Sequence, residues 1–205
     1  MDWLLYEKEA ISSGYNVICG VDEAGRGPLA GPVYAAAVIL NEGSIIEGVN
    51  DSKKLSEKKR ELLYDKIISE AKDYSIAYVS EKEIDEINIL NATFIAMKRA
   101  IEGLKIKPDM ALIDGNRLPK LDINARAIIK GDSLSMSIAA ASILAKVSRD
   151  RYMMSQSKIY PQYEFEKHKG YGTVIHRDAI KKYGPSPIHR ITFLKNIIGD
   201  NNVKE

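Results

Sequence analysis

Val21-Asp22-Glu23-Ala24-Gly25-Arg26-Gly27-Pro28-Leu29-Ala30-Gly31-Pro32 is the stretch on which the reading of the chain turns. Before it lie Val17, Ile18, Cys19 and Val21, an apolar run that predicts a buried strand over residues 16–24. That strand delivers two neighbouring carboxylates directly into a turn in which two glycines flank an arginine. Acids at a strand end suit a divalent cation, and a Gly-Arg-Gly turn lets backbone amides and a guanidinium approach a phosphate. The pairing points to metal-assisted chemistry on a phosphodiester. Residues 32–40 read as a second strand, and the short Gly/Pro connection makes the two antiparallel neighbours.

Outward from this hairpin, residues 56–72 predict a helix with Ser56 as N-cap and Leu62, Leu63, Ile67 and Ile68 on its buried side. Tyr74–Val79 alternates as a strand. Helical patterning runs from Ile84 to Leu104 with a break near Asn88. Met110–Ile113 is a strand entering the turn Asp114-Gly115-Asn116, and Ala125–Ile129 is another, ending at Lys130-Gly131-Asp132. A long helix is expected from Ser133 to about Ser157, its Ala- and Ile-rich first half buried, and a shorter one over 174–183. This order predicts an α/β fold, a mixed sheet flanked by helices. Residues 1–157 would form the core, and 158–205 a small helical C-terminal extension packed on it.

Three of the predicted strands thus end in acid, at Asp22-Glu23, Asp114 and Asp132. Strand ends at one edge of an α/β sheet are where ligands sit, so these segments can meet although they are distant in sequence. Two divalent ions ~4 Å apart need several such oxygens to steady an in-line displacement, and Mg²⁺ prefers oxygen ligands. Consecutive strand residues point to opposite faces, so Asp22 and Glu23 cannot both address one ion from a regular strand. Either the backbone turns there, or one acid contributes indirectly or through its carbonyl. Each acid also has a plainer use: Asp132 as a helix N-cap, Asp114 as a turn former, Asp22 or Glu23 as partner to Arg26.

Gly25-Arg-Gly27-Pro-Leu-Ala30 formally fits the dinucleotide fingerprint G-x-G-x-x-A. The segment after it opens with Pro32 and reads as a strand, whereas the fingerprint requires a helix N-terminus aimed at the pyrophosphate. No Gly-Lys-Ser/Thr follows, which excludes a P-loop.

The 205 residues are 45% hydrophobic and 28% charged, the balance of a globular protein. No apolar stretch approaches the ~20 residues of a membrane-spanning helix. The N-terminus carries no signal-peptide pattern, and one cysteine, Cys19, excludes an internal disulfide framework; both lead to the expectation of a cytoplasmic protein with no membrane partner. Charge is unevenly spread. Lys146–Lys195 holds eleven Lys and Arg against four Asp and Glu, leaving the remainder near −5 of a net +2. A basic C-terminal quarter suits a polyanion. His168, His176 and His189 are too dispersed in sequence for an obvious zinc site and read as backbone-contacting or structural.

In order along the chain stand Asp22–Pro32, Asp51-Ser-Lys-Lys-Leu55, Ile113-Asp-Gly-Asn116, Lys130-Gly-Asp132, the Ala-rich run Ser137–Asp150, His168-Lys-Gly-Tyr-Gly-Thr173 and Tyr183–Arg190. With these landmarks the chain closely resembles bacterial ribonuclease HII, over nearly its whole length. The resemblance implies a ribonuclease H-like mixed sheet with a helical C-terminal extension. It implies an endonuclease that hydrolyses RNA in RNA–DNA hybrids and nicks 5′ of ribonucleotides embedded in duplex DNA, leaving 3′-hydroxyl and 5′-phosphate ends. The implied cofactors are Mg²⁺ or Mn²⁺, two ions with substrate bound, held by Asp22, Glu23, Asp114 and Asp132. Gly25, Arg26 and Gly27 would contact the ribose 2′-hydroxyl and backbone, and Tyr171 the ribo-to-deoxyribo junction. Ser52 and Lys53, ahead of the 56–72 helix, are candidate phosphate contacts. A monomer is expected. Two other classes fit the acids alone: another metal nuclease or strand transferase on the same fold, which would cut all-DNA duplexes, and a silent binder of hybrids.

Overall fold

The computed structural model describes residues 2–49 and 55–199. Five strands form one mixed sheet in the order β3-β2-β1-β4-β5: β1 (Ile18–Ala24), β2 (Val33–Ile39), β3 (Asp73–Val79), β4 (Met110–Asp114) and β5 (Asn124–Ile128). The first three pair antiparallel, while β4 runs parallel to both β1 and β5. The C-terminal ends of β1, β4 and β5 therefore share one edge. The helices are α1 (Leu5–Ser12), α2 (Glu57–Glu70), α3 (Glu81–Ile87), α4 (Ile89–Glu102), α5 (Met136–Ile159), α6 (Phe165–His168), α7 (Val174–Tyr183) and α8 (Lys195–Ile198). Among the described residues no helix is long and apolar enough to cross a membrane.

Helix α5 covers one face of the sheet, with α2 against it, and α4 covers the other. The approach of α5 is unusually close because both surfaces are made of small residues. Ala36 of β2 faces Ala139, Ala140 and Ala141 of α5 in one buried cluster. At Gly20 the backbone of Ser137 and Ile138 occupies the space a Cβ would need. This contact holds α5 in register with β1 and delivers its next turns to the acidic edge of the sheet.

Local chemistry explains the boundaries. Ser56 caps α2 by accepting from the Lys59 amide at 3.3 Å. Ser80 and Glu83 form a reciprocal capping box at α3. The expected break near Asn88 is a left-handed residue, φ 66°, whose side chain caps α4 through the Leu90 and Asn91 amides. Two expectations need correction. Leu62, placed on the buried side of α2, is 65% exposed. A helix turns about 100° per residue, so adjacent Leu62 and Leu63 cannot share a narrow contact stripe, and Leu63 takes it. The long helix begins at Met136 rather than Ser133, with Ser135 as its N-cap and a 3-10 turn over Gly131–Ser133 before it. The N-cap alternative for Asp132 thereby falls away.

After α5 the chain forms a satellite core of Met153, Tyr163, Phe165, Ile180 and Leu194 with Ala30. Leu29 donates its amide to the Gly170 carbonyl at 2.8 Å, Gly31 to Ile188 at 2.9 Å, and Arg190 to Leu29 at 2.9 Å. The glycine turn after β1 is thus built into the C-terminal segment.

Candidate active site

Asp22 lies near the end of β1, paired to Ala36, and Glu23 next to it, paired to Ala35, so the strand keeps regular register through both acids. The two carboxylates accordingly leave opposite faces of the sheet. Val21 pairs with Ile113, which sets Asp22 and Asp114 as the next neighbours on parallel strands, both on the α5 face. Asp22 is 4% exposed; its Oδ1 accepts the Glu23 amide at 2.7 Å, and the Ser142 side chain of α5 also bonds it. Asp114 Oδ1 accepts the Gly131 amide at 2.6 Å, which ties the end of β4 to the turn that carries buried Asp132.

A cleft of about 220 Å³ opens here, lined by Asp22, Glu23 and Asp114 together with Arg26, Gly27 and Tyr171. Its far wall is Ser142 and Lys146 from α5. The structure thus brings together three of the four expected acids, the Gly-Arg-Gly turn and Tyr171. Asp132 is held one residue from the Asp114 anchor and does not line this cleft. Ser52 and Lys53 lie outside the described residues.

Burial first, then the Glu23 and Asp114 charges, push the Asp22 carboxyl well above its ordinary value. Glu23 is also raised, mainly by burial, with Asp114 adding to it and Arg26 opposing. Arg26 is the larger of these two charge effects, its Nη1 standing 3.5 Å from Glu23 Oε1. Lys146 gives its charge to Asp150, with Nζ–Oδ distances of 2.6 and 2.5 Å. Asp150 thus pairs within its own helix and does not line the cleft. Among the described residues no three His, Cys, Asp or Glu side chains make a ready metal cage. The donor set nevertheless fits hard divalent cations: it is all oxygen and mutually repelling.

Two residues that sequence reasoning passed over organise the glycine turn. Arg190, fully buried, donates to the carbonyls of Gly25 at 2.6 Å, Arg26 and Pro28 at 2.9 Å, and Gly31 at 2.8 Å. Arg149, from α5, donates to Pro32 at 3.1 Å, and to Ala30 and Lys169 at 3.0 Å. Gly25, at φ +98°, packs directly on the Arg149 side chain, where a Cβ would overlap it. Arg149 also lies 5.9 Å from the Tyr171 ring centroid. A lone arginine in sequence reads as solvated, so no local signal marks either as buried.

The three histidines are not dispersed in space. His176 and His189 join Nε2 to Nε2 at 3.0 Å, and His168 stacks on His176 at 4.4 Å between centroids. Their outer nitrogens bond the Tyr163 and Tyr171 carbonyls and the Ser186 amide. Of the two expected readings, backbone-contacting or structural, these bonds favour the structural one, as a single cluster that holds the Tyr171 carbonyl.

A mixed sheet of this order, with carboxylates on the ends of neighbouring parallel strands and a buried helix behind them, defines a ribonuclease H-like nuclease. The comparisons narrow the class. A profile of the ribonuclease HII family matches residues 19–196. The ribonuclease HII of Caldicellulosiruptor bescii is 64% identical over 192 residues, covering 94% of this chain and 93% of that one. The crystal structure of ribonuclease H2 from Pyrococcus horikoshii superposes with a TM-score of 0.76 at 31% identity, covering 93% of this chain and all of that one. Bst-RNase HIII in complex with Mn²⁺ shares the fold, with a TM-score of 0.69 at 19% identity over 90% of this chain and 67% of its own. The chain belongs to the ribonuclease HII family. It is a metal-dependent endoribonuclease that acts on RNA in RNA–DNA hybrids and on ribonucleotides in DNA.

Proposed function

We propose that the cleft at the ends of β1 and β4 is the catalytic centre, and that it nicks duplex DNA on the 5′ side of a single embedded ribonucleotide as well as cutting hybrids. The observation that carries this reading is the sharing of one cleft by Asp22, Glu23, Asp114, Arg26, Gly27 and Tyr171. Asp22, Glu23, Asp114 and Asp132 would hold two divalent ions, Mg²⁺ or Mn²⁺. When bound, such ions supply the positive charge that steadies the attacking and leaving oxygens of an in-line phosphodiester displacement.

The chain's own residues do the selecting. The 2′-hydroxyl distinguishes RNA from DNA at a given position and can both donate and accept. The Gly25–Gly27 backbone can approach it because Gly25 and Gly27 present no side chain to the cleft. Arg26, half-exposed beside Glu23, is placed to pair with a phosphate oxygen. Tyr171, 44% exposed at the cleft wall, offers a ring to pack on the adjoining deoxyribose. Asp22 and Asp114 repel the phosphate until cations offset them, so productive binding and metal loading are linked. Products would carry 3′-hydroxyl and 5′-phosphate ends, and the enzyme would act as a monomer.

The test is one gel with three end-labelled duplexes in Mg²⁺: all-DNA, DNA with one ribonucleotide, and an RNA–DNA hybrid. The expected result is cleavage of the last two, 5′ of the lone ribonucleotide, with all-DNA intact. Asp22→Asn and Asp132→Asn are expected to lose cleavage and keep binding. Cutting of all-DNA, or near-normal turnover by both variants, contradicts the reading.

A further inference from the structure

We infer that Arg190 and Arg149 are positioning residues for ribose recognition: the C-terminal segment and α5 hold the glycine turn and Tyr171 in one arrangement through these two guanidiniums. The inference rests on the proposed reading of the turn as the 2′-hydroxyl sensor. Between them the two side chains take the carbonyls of Gly25, Arg26, Pro28, Ala30, Gly31 and Pro32. With six carbonyls on these guanidiniums and that of Leu29 on the Arg190 amide, the turn cannot flip those peptides without leaving a buried donor unmet. Carbonyls engaged in this way are not left as free acceptors for a phosphate to meet with the wrong sign. The amides of Arg26 and Gly27 have no acceptor among the described residues and so remain available.

Arg149 also links the turn to the junction tyrosine, while Arg190 links it to the C-terminal segment. Arg149 donates to the Lys169 carbonyl two residues before Tyr171 and lies under its ring. Gly27 also lies near that ring, with space for a Cβ 3.8 Å from Tyr171 Cε1. Arg190 arrives from a segment docked on α3, where Asp85 accepts the Ile191 amide at 2.7 Å and the Thr192 amide at 3.0 Å. The distance between the turn and Tyr171, which sets where a ribose ends and a deoxyribose begins, is therefore fixed by two guanidiniums buried behind the turn. Arginine is required because its planar fork serves several carbonyls at once, whereas lysine is a single point donor.

The experiment compares wild type with Arg190→Lys and with Tyr163→Phe. The last removes the 2.7 Å bond from the Tyr163 hydroxyl to the Gly184 carbonyl and so loosens the same segment away from the turn. Three quantities are read: KM for a duplex with one ribonucleotide, Ki of an all-DNA duplex as competitor, and the rise in unfolding temperature caused by Mg²⁺. Arg190→Lys is expected to lower the ratio Ki/KM by about tenfold or more, the scale of a displaced positioning element. Its Mg²⁺-dependent stabilisation is expected to stay at the wild-type value. Tyr163→Phe is expected to lower the unfolding temperature and leave Ki/KM unchanged. Wild-type Ki/KM in Arg190→Lys, or an equal fall in Tyr163→Phe, overturns the inference by leaving only a structural role. Should Arg190→Lys not fold, Arg149→Lys loosens the turn from the α5 side and carries the same expectation. A wild-type Ki/KM near one would instead remove ribose sensing in binding, and the parent reading with it.

Discussion

Asp22→Asn is expected to make the metal-free protein more stable while destroying its activity. The wild-type carboxylate is buried between Glu23 and Asp114, and its pKa is raised well above the ordinary 3.8. A carboxyl raised on folding binds protons more tightly in the native state than in the unfolded chain. Its favourable contribution is therefore present at low pH and is lost as pH rises from 3.8 through the folded pKa. Each unit of that rise costs about 1.4 kcal/mol at neutral pH. Asparagine keeps the shape and one carbonyl acceptor for the Glu23 amide, and it removes the charge. One such unit corresponds to an unfolding temperature about 3–5 °C higher for a chain of this size. The assay is calorimetric or denaturant unfolding in EDTA at several pH values, repeated with Mg²⁺. In EDTA the advantage of the variant is expected to grow with pH; with Mg²⁺ it is expected to shrink or reverse, since only wild type gains the full binding free energy of the cation. A wild type more stable than Asp22→Asn in EDTA at neutral pH, or a gap independent of pH, would refute the electrostatic account of the site.

Gly20→Ala places a methyl group on the backbone of Ser137 and Ile138, where neither partner can yield as a flexible side chain would. A loss of about 3 kcal/mol or more is expected in chemical denaturation. On acidification the histidine cluster is expected to weaken the fold. Burial, the largest cause, lowers His176 to about 4 and His189 to about 3, so the unfolded chain takes up protons first. Their contribution is whole above pH 6.5 and is lost as pH falls toward 4 and 3. Urea midpoints of wild type measured from pH 7 to pH 4 check this, and a midpoint flat over that range contradicts it. Tyr171→Ala removes an exposed ring and is expected to leave unfolding within about 0.5 kcal/mol of wild type. On the single-ribonucleotide duplex kcat/KM is expected to fall about tenfold or more, the value of one stacking contact; unchanged kinetics would separate Tyr171 from the junction.

Much of the fold was legible because it is written locally. Ser56 and Asn88 announce helix starts through their own side chains, and alternation marks Tyr74–Val79 whatever packs against it. The small residues of β2 and of the first half of α5 foretold burial, and with Gly20 they explain why helix and sheet meet so closely. Leu62 was misplaced because apolarity was counted without the narrow width of the α2 contact. The histidine cluster could not be read at all, since its members come from three different turns and meet only when the C-terminal segment closes on itself.

The sequence by itself determined the chemistry available: which acids end strands, which glycines permit close approach, and which turn can meet a phosphate. Those are properties of residue type and spacing, and they survive any packing. Tertiary structure decided which charges turn inward. Asp22 is buried beside Asp114 because β1 and β4 are parallel neighbours in register. Arg149 and Arg190 are buried because the turn over residues 25–32 presents enough carbonyls to receive them. Burying a charge is tolerable only where distant segments supply its partners, and that supply exists only once the chain has folded.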